Sequence, residues 1–161
     1  MISPDILRQY PHFAEVPDEC LKSLAMISEE RTFKAGERIF EESVELKEDA
    51  QNYEMGEEAT DLLILIQGQI DIIFSLASGE EVVVDTRNPG DLLAISALIY
   101  PFHLTASGIA REDGKLIQLK APELRQLCEE VPELGYLLMR QVAKTAMNRL
   151  NHTRSQLAAQ R

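Results

Sequence analysis

Leu62-Leu63-Ile64-Leu65-Ile66-Gln67-Gly68-Gln69-Ile70-Asp71-Ile72-Ile73-Phe74 is the stretch on which the fold turns. Its first five residues form an unbroken apolar run, the pattern of a strand buried on both faces. Gln67-Gly68-Gln69 then turns the chain, and Ile70, Ile72 and Phe74 alternate with Asp71 and Ile73 in a second strand. Downstream, Ser78-Gly79 leads into Val82-Val83-Val84, and Asn88-Pro89-Gly90-Asp91 is another strong turn. Ser107 to Arg111 and Leu116 to Leu119 read as strands, with Asp113-Gly114 between them as a hairpin signal. Upstream, Thr32 to Phe40 reads as two short strands turning at Ala35-Gly36. Many short strands with regular turn signals predict a roll, barrel or sandwich.

Both ends of the chain are helical. Ser3-Pro4-Asp5 combines a hydroxyl cap, a proline at the first helical position and an acid in the first turn, and Pro11 ends that helix. Pro17-Asp18-Glu19 opens a second helix with Cys20, Leu21, Leu24 and Ile27 at helical spacing. Ala121-Pro122-Glu123 starts a third, and Pro132-Glu133 a longer one reaching about Gln156. The expected class is α+β and mostly β, with helices segregated at the two ends. At 161 residues the chain has room for one core. It divides into N-terminal helices (1–30), a β unit (31–120) with an acidic insertion (41–60), and C-terminal helices (121–161).

The formal net charge is -11. That argues against nucleic acid and against an anionic membrane surface, since both draw on extended Lys/Arg contacts. Most of the excess sits in residues 41–58, where eight acids face Lys47 alone. With little periodicity, this stretch reads as a solvated loop; its alternatives are an acidic docking surface or a weak calcium site, and it lacks the D-x-D-x-D-G spacing of the latter. Cys20 and Cys128 lie in helical patterns without metal-ligand spacing and read as free thiols. The N-terminus lacks the basic and apolar regions of a signal peptide, and no run approaches the ~20 apolar residues of a membrane span. A cytoplasmic protein is expected.

The order of elements resembles the cyclic-nucleotide-binding domain family, which includes the ligand domains of the catabolite activator protein and of the protein kinase A regulatory subunit. Phe33-Lys34-Ala35-Gly36-Glu37-Arg38-Ile39-Phe40 is similar to the family's opening hairpin. Leu63 to Ile72, with Gly68 at the turn, resembles its third and fourth strands, and Asn88-Pro89-Gly90-Asp91-Leu92-Leu93 the approach to its phosphate-binding cassette. The resemblance runs over about residues 6 to 150. It implies a jelly-roll-like β-roll, or double-stranded β-helix, with a long C-terminal helix, and a regulatory rather than catalytic role.

In that family a short helix of the cassette aims backbone N–H groups at the cyclic phosphate. An arginine pairs with the phosphate, and a glutamate accepts the ribose 2′-hydroxyl. The cassette here is Ala94 to Ser107. A gap-free match through Ala97-Leu98-Ile99-Tyr100 puts Ile95 at the glutamate position and Leu104 at the arginine position. Neither Ser96, a weak acceptor, nor His103 replaces the lost groups. Thr105, Ala106 and Ser107 keep the small, hydroxylated character that lets backbone approach a ligand. Two missing charge-assisted bonds at about 1.5–3 kcal/mol each remove two or more decades of affinity. The resemblance is thus to a branch with an altered cassette, in which cyclic AMP does not bind in the usual way. The candidate ligand residues are Gly90, Ala94, Ile95, Ser96, Ala97, His103, Leu104, Thr105, Ala106 and Ser107; the cofactor is left open.

Other chemistry finds no constellation. His12, His103 and His152 fall in separate elements, no G-x-S-x-G elbow is present, and neither cysteine has a neighbouring histidine. On the last helix Met139, Ala143, Ala146, Leu150, Thr153 and Leu157 form a heptad seam, while Leu134, Leu137, Leu138 and Val142 make a second face suited to the β unit. A homodimer through the seam is expected, with a protein partner as a further option. The helix-turn-helix that follows in family transcription factors is expected to be missing after Arg161. The reading is a stand-alone dimeric sensor or regulatory module; its competitor is a ligand-free adaptor docking through the acidic stretch and the seam.

Overall fold

The computed structural model describes residues 1–46 and 53–160. Helix α1 (Pro4–Arg8) is capped by the Ser3 hydroxyl, which accepts from the Asp5 N–H, and a single 3-10 turn follows at Pro11–Phe13. Helix α2 (Asp18–Met26) buries Leu21, Leu24 and Ala25. The β-roll then comprises β1 (Ser28–Phe33), β2 (Arg38–Phe40), β3 (Val44–Leu46), β4 (Tyr53–Met55), β5 (Asp61–Gln67), β6 (Ile70–Ser75), β7 (Glu81–Arg87), β8 (Leu92–Leu93), β9 (Ser107–Ala110) and β10 (Gly114–Lys120). Helices α3 (Ala121–Glu130) and α4 (Pro132–Ala159) close the chain. None of the described helices is long and apolar enough to cross a membrane.

Two antiparallel four-stranded sheets, ordered β1-β10-β5-β8 and β2-β9-β6-β7, form the roll. The unbroken apolar run is explained by the position of β5. Leu62 and Ile64 face a core shared with Leu7, Leu24, Leu124, Leu134 and Leu138 from the helices. Leu63 and Leu65 face the roll interior with Phe33, Ile70, Leu93 and Leu116. Leu62 to Leu65 are thus buried by the pleat, alternately under helices and inside the roll, and Ile66 is partly buried on the helix side.

Three expectations need correction. Gly36 and Asp113-Gly114 do make turns, but neither closes a hairpin: β1 and β10 lie in one sheet, β2 and β9 in the other. These turns carry the chain between sheets, as a roll requires, and local turn chemistry does not distinguish the two uses. The alternation expected after Gly68 is broken, because a bulge between Ile72 and Ile73 leaves Ile70 and Ile73 as the buried residues of β6. The acidic stretch is not simply a loop, since β3 and β4 pair across it; its tip, 47–52, lies outside the described residues.

Gly68 and Gly114 are needed where two inter-sheet turns meet. Gly68 has φ +92°, and a Cβ there would sit 2.8 Å from the Asp113 carbonyl oxygen. A Cβ on Gly114 would lie 2.0 Å from the Gln67 carbonyl oxygen. Only hydrogen fits at either position.

Candidate functional site

The cassette leaves β8 through Ala94, whose backbone is left-handed (φ 57°), and makes one 3-10 turn at Ile95–Leu98. Its return segment, residues 99–106, is held from outside. Arg125 of α3 donates to the Ala97 carbonyl at 2.7 Å and lies 4.1 Å over the Phe102 ring. The Ala59 N–H donates to the Phe102 carbonyl, and the Ser43 N–H to that of Leu104. The base of the β3–β4 hairpin and α3 thereby fix the loop that brings Leu104 and Thr105 back to the roll.

A cavity of about 200 Å³ lies inside this frame. Ala94, Ile95, Ser96, Leu104, Thr105 and Ala106 from the cassette line it, with Phe40, Ile72 and Leu93 from the strands. Four other candidates are directed elsewhere. The Gly90 carbonyl accepts from His12 Nε2 at 2.9 Å; Ala97 is buried with Ala121 of α3. His103 Nδ1 lies 3.1 Å from the Glu57 carbonyl oxygen and 3.4 Å from the Ser43 hydroxyl, at the base of the hairpin. The buried Ser107 hydroxyl accepts from the Glu42 N–H.

The positions that carry charge in the family cassette are apolar and packed. Ile95 is 8% exposed and belongs to the helix-side core. Leu104 packs both on the roll interior and on Ala59, Ala97 and Ala121. Neither offers a polar group to an incoming ligand.

Two arginines that the sequence reading did not single out supply that polarity. Arg87, at the end of β7, and Arg149, on α4, line the same cavity. Arg149 Nη2 donates a short hydrogen bond to the Leu92 carbonyl, tying α4 to β8. Arg87 Nη2 is 3.0 Å from Asp85, which also lies 3.5 Å from the His152 ring. The Nε groups of both arginines are buried without a hydrogen-bond partner, the only such side-chain atoms among the described residues. Burial, followed by repulsion from Arg87, lowers the Arg149 guanidinium to about 10, against the attraction of Asp91 and Asp85. A signal for Arg149 was available: Leu138, Val142, Thr145 and Arg149 continue the core-facing stripe at steps of four, three and four, so a charge stands where an apolar residue belongs. Arg87 carries no comparable signal.

The opposite face of α4 is open. Met139, Met147, Leu150 and Leu157 are exposed, as are Ala143, Ala146 and Thr153. The two thiols, Cys20 and Cys128, are free and half-buried, and burial pushes the Cys128 thiol up.

A family model described as cyclic nucleotide-binding domain matches residues 43–131. Among solved structures, one of a Geobacter metallireducens protein assigned as cyclic nucleotide-binding is similar at 33% identity. It covers 93% of this chain and 99% of its own, with a TM-score of 0.78. The N-terminal domain of a transcriptional regulator from Streptomyces coelicolor is similar at 25% identity, covering 90% and 94%, with a TM-score of 0.64. The sensor domain of the regulator DNR from Pseudomonas aeruginosa shares the fold at 16% identity, covering 91% and 90%, with a TM-score of 0.67. No curated protein matches the chain.

Proposed function

Since the chain belongs to the cyclic nucleotide-binding domain family, we propose that it is a regulatory sensor module whose cassette no longer takes a cyclic nucleotide in the family's usual way. The observation that carries this reading is the fate of the two charged positions. Ile95 and Leu104 are core residues, and a cyclic phosphate or ribose hydroxyl placed against them would lose its hydration without gaining a partner. The cassette cavity is about 200 Å³, and a cavity of about 560 Å³ toward the β3–β4 hairpin shares Phe40 and Leu104 with it.

The output element is α4. Arg149 ties this helix to β8, the strand that leads into the cassette, and lines the cavity, so a ligand that alters the cavity alters the seating of the helix. The exposed seam of Met139, Ala143, Ala146, Leu150, Thr153 and Leu157 forms a homodimer in this reading, and changes in α4 pass to the second copy. The role is regulatory and not enzymatic. The two free thiols suit a reducing, cytoplasmic compartment.

A second reading, that of a ligand-free adaptor, draws support from the same apolar packing of Ile95, which is buried, and Leu104, which is partly buried. It would dock through the seam and through the acidic flank at Glu41, Glu57 and Glu58, which is exposed.

Calorimetric titration with cyclic AMP and cyclic GMP tests the main reading. No saturable heat up to millimolar nucleotide is expected, and saturable heat at micromolar nucleotide overturns it. Sedimentation at tens of micromolar protein tests the dimer; a single 18.1 kDa species would remove it.

A further inference from the structure

We infer that Arg87 and Arg149 form a binding site for a compact phosphate-type oxyanion, one half supplied by β7 and the other by α4. The inference rests on the reading of the cassette cavity as a ligand site and names the chemistry that this site takes. It does not use the backbone of the cassette turn, and it places the anion-binding groups outside the cassette altogether.

The argument begins with charge. In a chain of net charge -11, two guanidinium groups converge on one cavity. A like charge nearby disfavours the charged form of each group, a cost that a bound anion offsets. The carboxylates nearby answer this only in part. Asp85 pairs with Arg87 Nη2 and also faces His152, while Asp91 accepts the Asn88 N–H. Arg149 forms no ion pair among the described residues; its Nη2 is directed to a carbonyl.

Hydrogen-bond inventory gives the second strand. A buried donor left without an acceptor costs about 1–3 kcal/mol, and such groups are rare in folded proteins. Here both instances are Nε atoms of the two arginines that line the cavity. An oxyanion with several acceptor oxygens can satisfy two guanidinium groups at once, as a neutral ligand with one carbonyl cannot. Ser96 and Thr105 are further polar residues of the lining.

Size and shape select among anions. About 200 Å³, with Phe40, Ile72 and Leu104 on the apolar side, is enough for inorganic phosphate or a small phosphate monoester. Because α4 contributes one of the two arginines, the anion bridges the helix to the roll and is released when the helix moves away. Binding and helix position are therefore linked, each by the same factor.

Calorimetry of the full chain in low-chloride buffer tests the site, with inorganic phosphate and glycerol phosphate as probes. Saturable binding of at least one probe, one per chain, is expected. The affinity should fall roughly 10-fold or more in Arg87→Gln and again in Arg149→Gln. Arg140→Gln should bind as wild type does, because Arg140 pairs with Glu15 and lies over the Tyr136 ring, on another face. The tighter probe distinguishes free phosphate from a monoester. Failure of the wild-type chain to bind either probe at millimolar concentration overturns the site, as does binding that survives in both Arg variants. Amide hydrogen exchange of α4 separates this from the sensor reading. Phosphate binding that depends on both arginines but leaves exchange in α4 unaltered supports the site and overturns the sensor.

Discussion

Replacing Arg149 with methionine should leave the ligand-free protein at least as stable as the wild type, although the side chain is largely buried and hydrogen-bonded. Two terms oppose each other. The guanidinium titrates at about 10 in the folded protein, well below its ordinary value. At about 1.36 kcal/mol per pH unit, the folded state carries a penalty of roughly 3 kcal/mol for keeping the charge. For a base lowered on folding, that penalty is fully present below pH 10 and is relieved only as pH rises from about 10 toward the ordinary guanidinium range. At neutral pH it is therefore felt whole. Methionine removes it and keeps much of the apolar stem, but loses the bond to the Leu92 carbonyl, a charge-assisted bond of about 1.5–3 kcal/mol. The balance lies between neutral and about 1.5 kcal/mol stabilising. For a chain of this size each kcal/mol moves Tm by about 2–4 °C, so Tm should stay or rise by up to about 6 °C. Urea unfolding at neutral pH and fixed protein concentration, in phosphate-free buffer, measures the change. A destabilisation of about 2 kcal/mol or more would refute the reasoning. It would show that Arg149 anchors α4 as a structural residue and that its burial was not held at a cost.

Two further substitutions test the fold around the site. Gly68→Ala should cost about 2 kcal/mol or more, since its positive φ alone disfavours a side chain by about 1–2 kcal/mol and the Asp113 carbonyl must also move; a loss under about 0.5 kcal/mol in urea unfolding would contradict the close turn-to-turn contact. Asp113 accepts the Ala35 N–H at 2.8 Å and is near Lys34, which together hold its carboxyl below the usual value. Its contribution is present above the unfolded pKa of 3.8 and is lost as pH falls through the lower folded value. Asp113→Asn should therefore be less stable than wild type at pH 7, with the gap closing toward pH 3; a gap independent of pH would remove the carboxylate from the explanation.

The elements with strong local signals were legible before any coordinates. The run from Leu62 to Ile66 implied a strand buried on both sides, and the two cores that share β5 are the reason. Gly36, Gly68, Gly79 and Gly90 all have positive φ at turns placed by sequence. Partner choice was less legible. Gly36 and Asp113-Gly114 look like hairpin turns because a tight reversal has the same chemistry whether the next strand pairs with the last or crosses to the opposite sheet. The β3–β4 ladder in the acidic stretch was missed because charge there outweighs alternation.

The cassette divides along the same line. Its losses are local, since a resemblance assigns two positions and reading Ile95 and Leu104 at them is enough. Its possible replacement is not local. Arg87 ends a strand next to a turn, where an arginine is unremarked, and Arg149 lies on a helix whose basic residues suit its C-terminal half. Only packing brings the two to one cavity. A charge on the core-facing stripe of a long helix is the part of this arrangement that periodicity can reveal. Leu134, Leu138 and Val142 bury that stripe completely before it reaches Arg149. A stripe that is apolar from Leu134 to Val142, passes through Thr145 and then turns cationic beside the cassette says that the helix has ceased to be packing alone and has become part of the site.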